Sequence, residues 1–312
     1  MKNILTEIMS DCGNVNLSEQ ILVVTDFDKM KVAQYVNELI IQLGYKTDMV
    51  VMPTRSSHGE EPTDDISEKM MHYPVQFLIT SKSLSHTAAR RKATHNGSRI
   101  VSMPLITKDI IKRCLDIDYL EIKERNYHLR NIISDKKINI TTPFGTDLSV
   151  KLKNTYSSDC GCFDKPGMFI NLPSGEVDSG IIPEETNGVF YADCSFGEYI
   201  LQEPYLQFHI RMGKIEKIDG KYSTEIIALL EKCGSKAFSV AEFGIGTNPK
   251  ATITGNPLED EKVLGTCHIG IGNDLYYGGE NDVPIHIDAI SSSPTIKIGS
   301  DVIIENGLHI YK

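Results

Sequence analysis

Ile21-Leu22-Val23-Val24-Thr25, followed by Met30-Lys31-Val32-Ala33-Gln34-Tyr35-Val36 running on to Leu43 and Gly44, decides the fold of the first part of the chain. The first run is apolar and compact, as a strand is. The second places apolar residues at helical spacing and stops at a glycine suited to a C-cap. The same strand-then-helix unit recurs downstream. Asp48 to Met52, Val75 to Thr80 and Arg99 to Ser102 read as strands, with a helix between the last two opening at Ser85 and closing before Gly97. Parallel strands need right-handed crossovers, so the alternation predicts a Rossmann-like α/β domain over residues 1–136, a mostly parallel sheet with helices on both faces. Thr107 to about Ser134 is charged and helical in pattern and leads out of it. No G-x-G-x-x-G or G-x-x-x-x-G-K follows any of these strands, so no nucleotide cradle is expected.

After Lys136 the pattern becomes short alternating strands: Ile138 to Thr142, Asp147 to Leu152, Gly188 to Asp193, Gln207 to Met212, Ile285 to Ile290 and Thr295 to Ile304. Turns at Phe144-Gly145-Thr146, Asp219-Gly220 and Gly299-Ser300-Asp301 suit antiparallel neighbours. Helices are expected from Ser223 to Cys233, ending at Gly234, and from about Leu258 to Ile271. The second half, 137–312, is therefore predicted to be an α+β domain, and it holds the residues that carry chemistry.

The net charge of -10 argues against nucleic acid or an anionic membrane as partner. Arg90-Arg91-Lys92, the densest positive patch, reads as a solvated helix face. Glu7 stands where a signal peptide needs an apolar core, and no apolar run is long enough to span a bilayer, so a cytoplasmic location is expected. The 7 cysteines, scattered and odd in number, fit reduced thiols, Cys160-Gly161-Cys162 included.

His286-Ile287-Asp288 lies in a predicted strand, where alternation turns imidazole and carboxylate to one face. His268 adds a second imidazole among the small residues of Gly265-Thr266-Cys267-His268-Ile269-Gly270-Ile271-Gly272. Glu242 interrupts an apolar strand, Val240-Ala241-Glu242-Phe243-Gly244, where an acid is costly to bury without a compensating cation. Glu176 follows Asn171-Leu172-Pro173-Ser174-Gly175 on an expected loop. These residue types suit a divalent metal site.

Taken in order, Asn-Leu-Pro-Ser-Gly-Glu176, Ala-Glu242-Phe-Gly-Ile-Gly-Thr-Asn-Pro, Leu258-Glu259-Asp260-Glu261-Lys262, Gly-Thr-Cys-His268-Ile-Gly-Ile-Gly and Ile-His286-Ile-Asp288 resemble the thermophilic metalloaminopeptidases, the M29 or aminopeptidase T and S family. The resemblance implies that Glu176, Glu242, His268, His286 and Asp288 bind metal, and that the protein is a homodimer. Where those peptidases carry a metal-site tyrosine, seven residues after the first histidine, this chain has Leu275, with Tyr276 and Tyr277 beside it.

Five N/O ligands suffice for two divalent ions, zinc, cobalt or manganese, sharing a water whose pKa they lower. The expected activity is a metalloaminopeptidase that removes N-terminal residues from small peptides, with Glu261 shuttling the proton and Tyr276 stabilising the oxyanion. A second reading takes His268, His286 and Asp288 as a two-histidine, one-carboxylate site for Fe(II) and O2, as in the dihydroxypyridine dioxygenases that look like relatives of these peptidases. A member that binds without turnover is the third.

Overall fold

The apolar run at the start of the chain forms β1 (Gln20–Asp26), buried from Ile21 onward. The computed structural model describes residues 2–311. β1 runs parallel to β2 (Lys46–Met52) on one side and β3 (Val75–Ile79) on the other, with β4 (Arg99–Ser102) parallel beyond β3. Leu22, Val24, Leu78 and Ile100 pack on one side of this sheet against Ile66 and Met70 of the helix Asp64–Met70 and Ala89 and Ala93 of the helix Ala88–His95. The latter helix starts at Thr87, whose hydroxyl accepts the Arg90 amide, rather than at Ser85. Ser85 is occupied instead with the Ser102 hydroxyl, 2.9 Å away.

The chain then forms the helices Lys108–Cys114 and Tyr119–Ile133, β5 (Lys137–Thr141) and β6 (Asp147–Asp159), and returns as β7 (Phe169–Asn171), parallel to β4. The parallel sheet has the order β2-β1-β3-β4-β7, that of flavodoxin-like doubly wound folds. The chain divides into one unit of Met1–Tyr119 with Asp159–Ser174 and a second of Leu120–Ser158 with Gly175–Lys312. Leu129 and Ile133 of the long helix are buried in the second unit's core. Periodicity tells that a helix exists but not which sheet its apolar stripe covers, and a strand of three residues is too short to show alternation.

The second unit continues through β8 (Glu176–Ile181), β9 (Asn187–Ala192), β10 (Ser195–Phe196), β11 (Tyr199–Ile200), β12 (Leu206–Arg211) and β13 (Lys214–Asp219). After the helix Ser223–Lys232 come β14 (Val240–Gly246), β15 (Thr266–Gly272), β16 (His286–Ser292), β17 (Thr295–Ile298), β18 (Asp301–Glu305) and β19 (Leu308–His309). Their sheet runs β11-β10-β16-β15-β14-β8-β6-β5-β17-β18-β19, with β9, β12 and β13 branching from β6. The α/β class with a parallel first sheet is as expected.

Two further local expectations fail. The helix from Leu258 to Ile271 is helical only over Pro257–Asp260, and His268 lies on β15. Cys267, Ile269 and Ile271 alternate with polar and glycine positions, a period of two that outweighs helical spacing where Gly265, Gly270 and Gly272 weaken a helix. Glu176 opens β8 rather than sitting on a loop. Among the described residues no helix is long and apolar enough to cross a membrane.

Near the C-terminus, Nδ1 of His309 lies 2.9 Å from the Tyr311 hydroxyl, and the Tyr311 ring stacks on His128. Burial, with the Arg125 charge second, brings the His309 imidazole down to about 4. An unfolded histidine titrates near ~6.5, so the unfolded chain takes up this proton first and stability is lost as pH falls from there toward 4. His309→Gln is expected to flatten that stretch of the thermal midpoint against pH; an unaltered slope would show that His309 is not its source.

Candidate metal centre

Strand alternation puts Glu176 and Asp178 of β8, Glu242 of β14, His268 of β15, and His286 and Asp288 of β16 on one face of four adjacent strands. The other face of these strands carries Val177, Phe243, Ile245, Ile269, Ile271 and Ala289 into the hydrophobic core. The register then sets each long polar side chain beside a glycine. Glu242 faces Gly180 across β8 and Gly270 across β15, His268 faces Gly244, and His286 faces Gly272. Two of these glycines are required by space alone. A Cβ at Gly244 would stand 2.1 Å from Nε2 of His268, and one at Gly270 would stand 2.5 Å from Cγ of Glu242 and 2.8 Å from Nε2 of His286. The imidazoles and the carboxylate lean across these gaps to meet.

Glu242 is the hub of that meeting. Its Oε1 lies 3.6 Å from Nε2 of His268 and 3.5 Å from Nε2 of His286, and Nε2 of His286 lies 3.5 Å from Oδ1 of Asp288. Ligand atoms of Glu242, His286 and Asp288 all fall within 4.8 Å of one another. Nε2 of His268 also approaches Oε2 of Glu176 at 3.7 Å. His286 donates Nδ1–H to the Asn273 carbonyl at 2.7 Å, which turns its Nε2 toward the carboxylates as metal-ligating histidines require. His268 is buried and, among the described residues, has no such partner on Nδ1.

The charges explain why such a cluster persists. Burial opposes a charge on His268, but the hydrogen bond it donates to Glu242 and the Glu176 and Asp288 carboxylates hold it up to about 9. The same competition raises His286 well above the ordinary range, through Glu242 and Asp288. Burial works against ionisation of Glu242 too, and the two imidazoles nevertheless keep its carboxyl well below the usual value. Asp178 goes the other way, raised by burial and by Glu176 and Glu242. Carboxylates this concentrated ask for positive charge, and a divalent cation competes with protons for the same ligand atoms. Among the described residues, no hydrogen-bond donor reaches the buried Oδ1 of Asp288, a costly state for a carboxylate oxygen unless it ligates. The donor set, imidazole nitrogen and carboxylate oxygen, fits a divalent transition metal.

The structure thus brings Glu242, His268, His286 and Asp288 together and sets Glu176 at their edge. Glu176 is engaged by Lys262, which the sequence reading passed over and which is 0 % exposed. Lys262 also pairs with Glu261 at 2.8 Å, so Glu261 does lie beside the cluster. Burial lifts the Glu261 carboxyl well above its usual value, Lys262 opposing and Glu176 adding to the rise. Tyr276 is 49 % exposed on the surface, its ring edge-on to Tyr277. The tyrosine that turns inward is Tyr277, whose hydroxyl donates to Asp178. Glu176-Val177-Asp178 repeats the alternation of His286-Ile287-Asp288, a signal by which Asp178 was findable.

The segment that delivers Lys262 is built locally. Asn256 caps the short helix Pro257–Asp260 through the Leu258 amide, and the Asp260 carboxylate accepts the Thr254 and Gly255 amides at 2.7 and 2.9 Å. The Lys262 carbonyl accepts the Asn248 amide at 2.8 Å. From the long helix, Asn126 donates to the Glu176 carbonyl at 2.9 Å while accepting the Thr247 hydroxyl at 2.6 Å. A groove of about 910 Å³ elsewhere in this unit, lined by Pro183, Arg211, Met212, Lys214, Glu231 and Phe238, shares no residue with the cluster.

The family described as NicX: 2,5-dihydroxypyridine 5,6-dioxygenase matches residues 1–310. The chain belongs to this family. Among solved structures it is similar to the 2,5-dihydroxypyridine dioxygenase of Pseudomonas putida KT2440, with a TM-score of 0.83 at 15% identity over 100% of this chain and 98% of that one. It is also similar to wild-type AmpT of Thermus thermophilus, with a TM-score of 0.73 at 13% identity over 99% and 98%. No curated protein sequence matches it. At such identities the structures establish the fold, which NicX-family chains share with AmpT, so the aminopeptidase resemblance holds for the fold while family membership lies with NicX.

Proposed function

We propose that the chain is a ring-cleaving, non-haem Fe(II) dioxygenase acting on a ring of the dihydroxypyridine type. The observation that carries this reading is the convergence of donors around Glu242, His286 and Asp288, with His268 adjoining. A dinuclear hydrolase would draw on Glu176 as well, and here Lys262 engages one of its oxygens. Membership of the NicX family supports the same choice.

His268, His286 and Asp288 would hold the iron, with Glu242 in reach of the same point. Fe(II) supplies, when bound, the one-electron chemistry with O2 that zinc lacks. Glu261 and Glu176, held by one ammonium, are the carboxyl groups placed to take or return the proton of a ring hydroxyl. Tyr277 and Asp178 close the same face, in the place the sequence suggested for Tyr276.

Purified protein is expected to carry about one iron per chain, by the mononuclear two-histidine, one-carboxylate logic. It should consume O2 with 2,5-dihydroxypyridine while the aromatic absorbance of the ring disappears. Glu242→Ala should lower turnover by roughly 10- to 100-fold or more with the circular dichroism intact. Two zinc or cobalt ions, hydrolysis of aminoacyl-nitroanilides and no O2 uptake would sink the proposal.

A further inference from the structure

Beyond Glu242 and Gly180, the chemistry-bearing face continues onto β6, which neighbours β8 in the sheet. Val150 and Leu152 of β6 are in the core, so Lys151, Lys153 and Thr155 face the other way. The Lys153 carbonyl accepts the Ser179 hydroxyl at 3.2 Å, which sets Lys153 beside Gly180. A Cβ on Gly180 would stand 3.2 Å from Cδ of Lys153, 3.2 Å from Oγ1 of Thr155 and 2.7 Å from Cβ of Tyr277. The aliphatic stem of Lys153 therefore crosses the glycine gap that flanks Glu242.

Neighbouring lysines have partners: Lys151 pairs with Asp135 at 2.9 Å, and Lys262 with Glu176 and Glu261. Among the described residues no hydrogen bond or ion pair engages the Lys153 ammonium. It is half-buried, on the same face as the metal donors, its stem and the Tyr277 Cβ both flanking Gly180.

We propose that Lys153 recognises the substrate, donating to the ring oxygen farthest from the metal. This rests on the ring-cleaving reading above. Cleavage of a 5,6 bond puts the 5-oxygen at the metal end, and a 2-oxygen then lies opposite, across the ring. That oxygen shares the negative charge of the deprotonated heterocycle, the partner an ammonium takes in a charge-assisted hydrogen bond.

The test is equilibrium titration of the Fe(II)-loaded protein without O2, using 2,5-dihydroxypyridine and 3-hydroxypyridine, which keeps only the metal-end hydroxyl. The wild type should prefer the dihydroxy ring by roughly tenfold or more, the worth of one charge-assisted hydrogen bond. Lys153→Met should lose that preference while binding 3-hydroxypyridine as the wild type does, and Lys153→Arg should restore much of it. An equal loss on both rings, or no loss on either, overturns the assignment while leaving the dioxygenase reading intact. A wild type that binds neither ring overturns the dioxygenase reading, and the Lys153 assignment with it.

Discussion

Lys262→Met is expected to destabilise the metal-free protein by roughly 3–5 kcal/mol, the cost of removing one partner from a buried ion pair. Lys262 is 0 % exposed and stands between Glu176 and Glu261, so a methionine of similar length leaves two carboxylates facing each other with no cation between them. The repulsion, more than the lost attraction, sets the size of the effect. In a thermal melt followed by circular dichroism the midpoint should fall by on the order of 10 °C. Glu261→Gln in the same chain should return part of that loss, because one of the stranded charges is then gone. A midpoint within a degree or two of the wild type would mean that the two carboxylates are neutralised by something other than this ammonium.

Gly270→Ala and Gly244→Ala are expected to lower divalent-metal affinity by roughly 10- to 100-fold, the range found when the shell that orients metal ligands is disturbed. Strand propensity alone points the other way, since alanine in a strand is favoured over glycine by about 0.5–1 kcal/mol. Space decides between them. A methyl group at Gly270 meets Glu242 and His286 inside van der Waals contact, and at Gly244 it falls on the His268 ring itself. Neither glycine has a positive φ, so the requirement is for the missing side chain rather than for an unusual backbone. Metal retention after dialysis against a graded chelator measures the effect. Full retention in both variants would remove the glycine gaps from the account of how the ligands converge.

Much of the candidate site was legible because its residues are chemically conspicuous where they stand. An acid inside Val240-Ala241-Glu242-Phe243 and a histidine two residues from an aspartate in a strand announce themselves from local context. The secondary structure around His268 was misread since a short run rich in glycine and isoleucine fits either period, and the pairing of β15 between β14 and β16 resolved it. Lys262 was passed over because a lysine beside a glutamate ordinarily lies in solvent, and nothing within five residues says that Glu176 waits opposite. Between Tyr276 and Tyr277 spacing cannot choose; the short turn Leu275–Tyr277 leaves the first outside and aims the second at Asp178.

By itself the sequence determined what is local: the βα alternation of the first sheet, the antiparallel pattern after it, and which side chains have the chemistry to bind a cation. Only the tertiary structure decided which carboxylate shares its charge with Lys262, where β7 completes the parallel sheet, and how Gly244 and Gly270 open the space in which the ligands meet. The reason is that alternation along a strand is written in neighbouring residues, whereas register across strands joins positions as distant as Glu176, Glu242 and Asp288, and no periodicity records it.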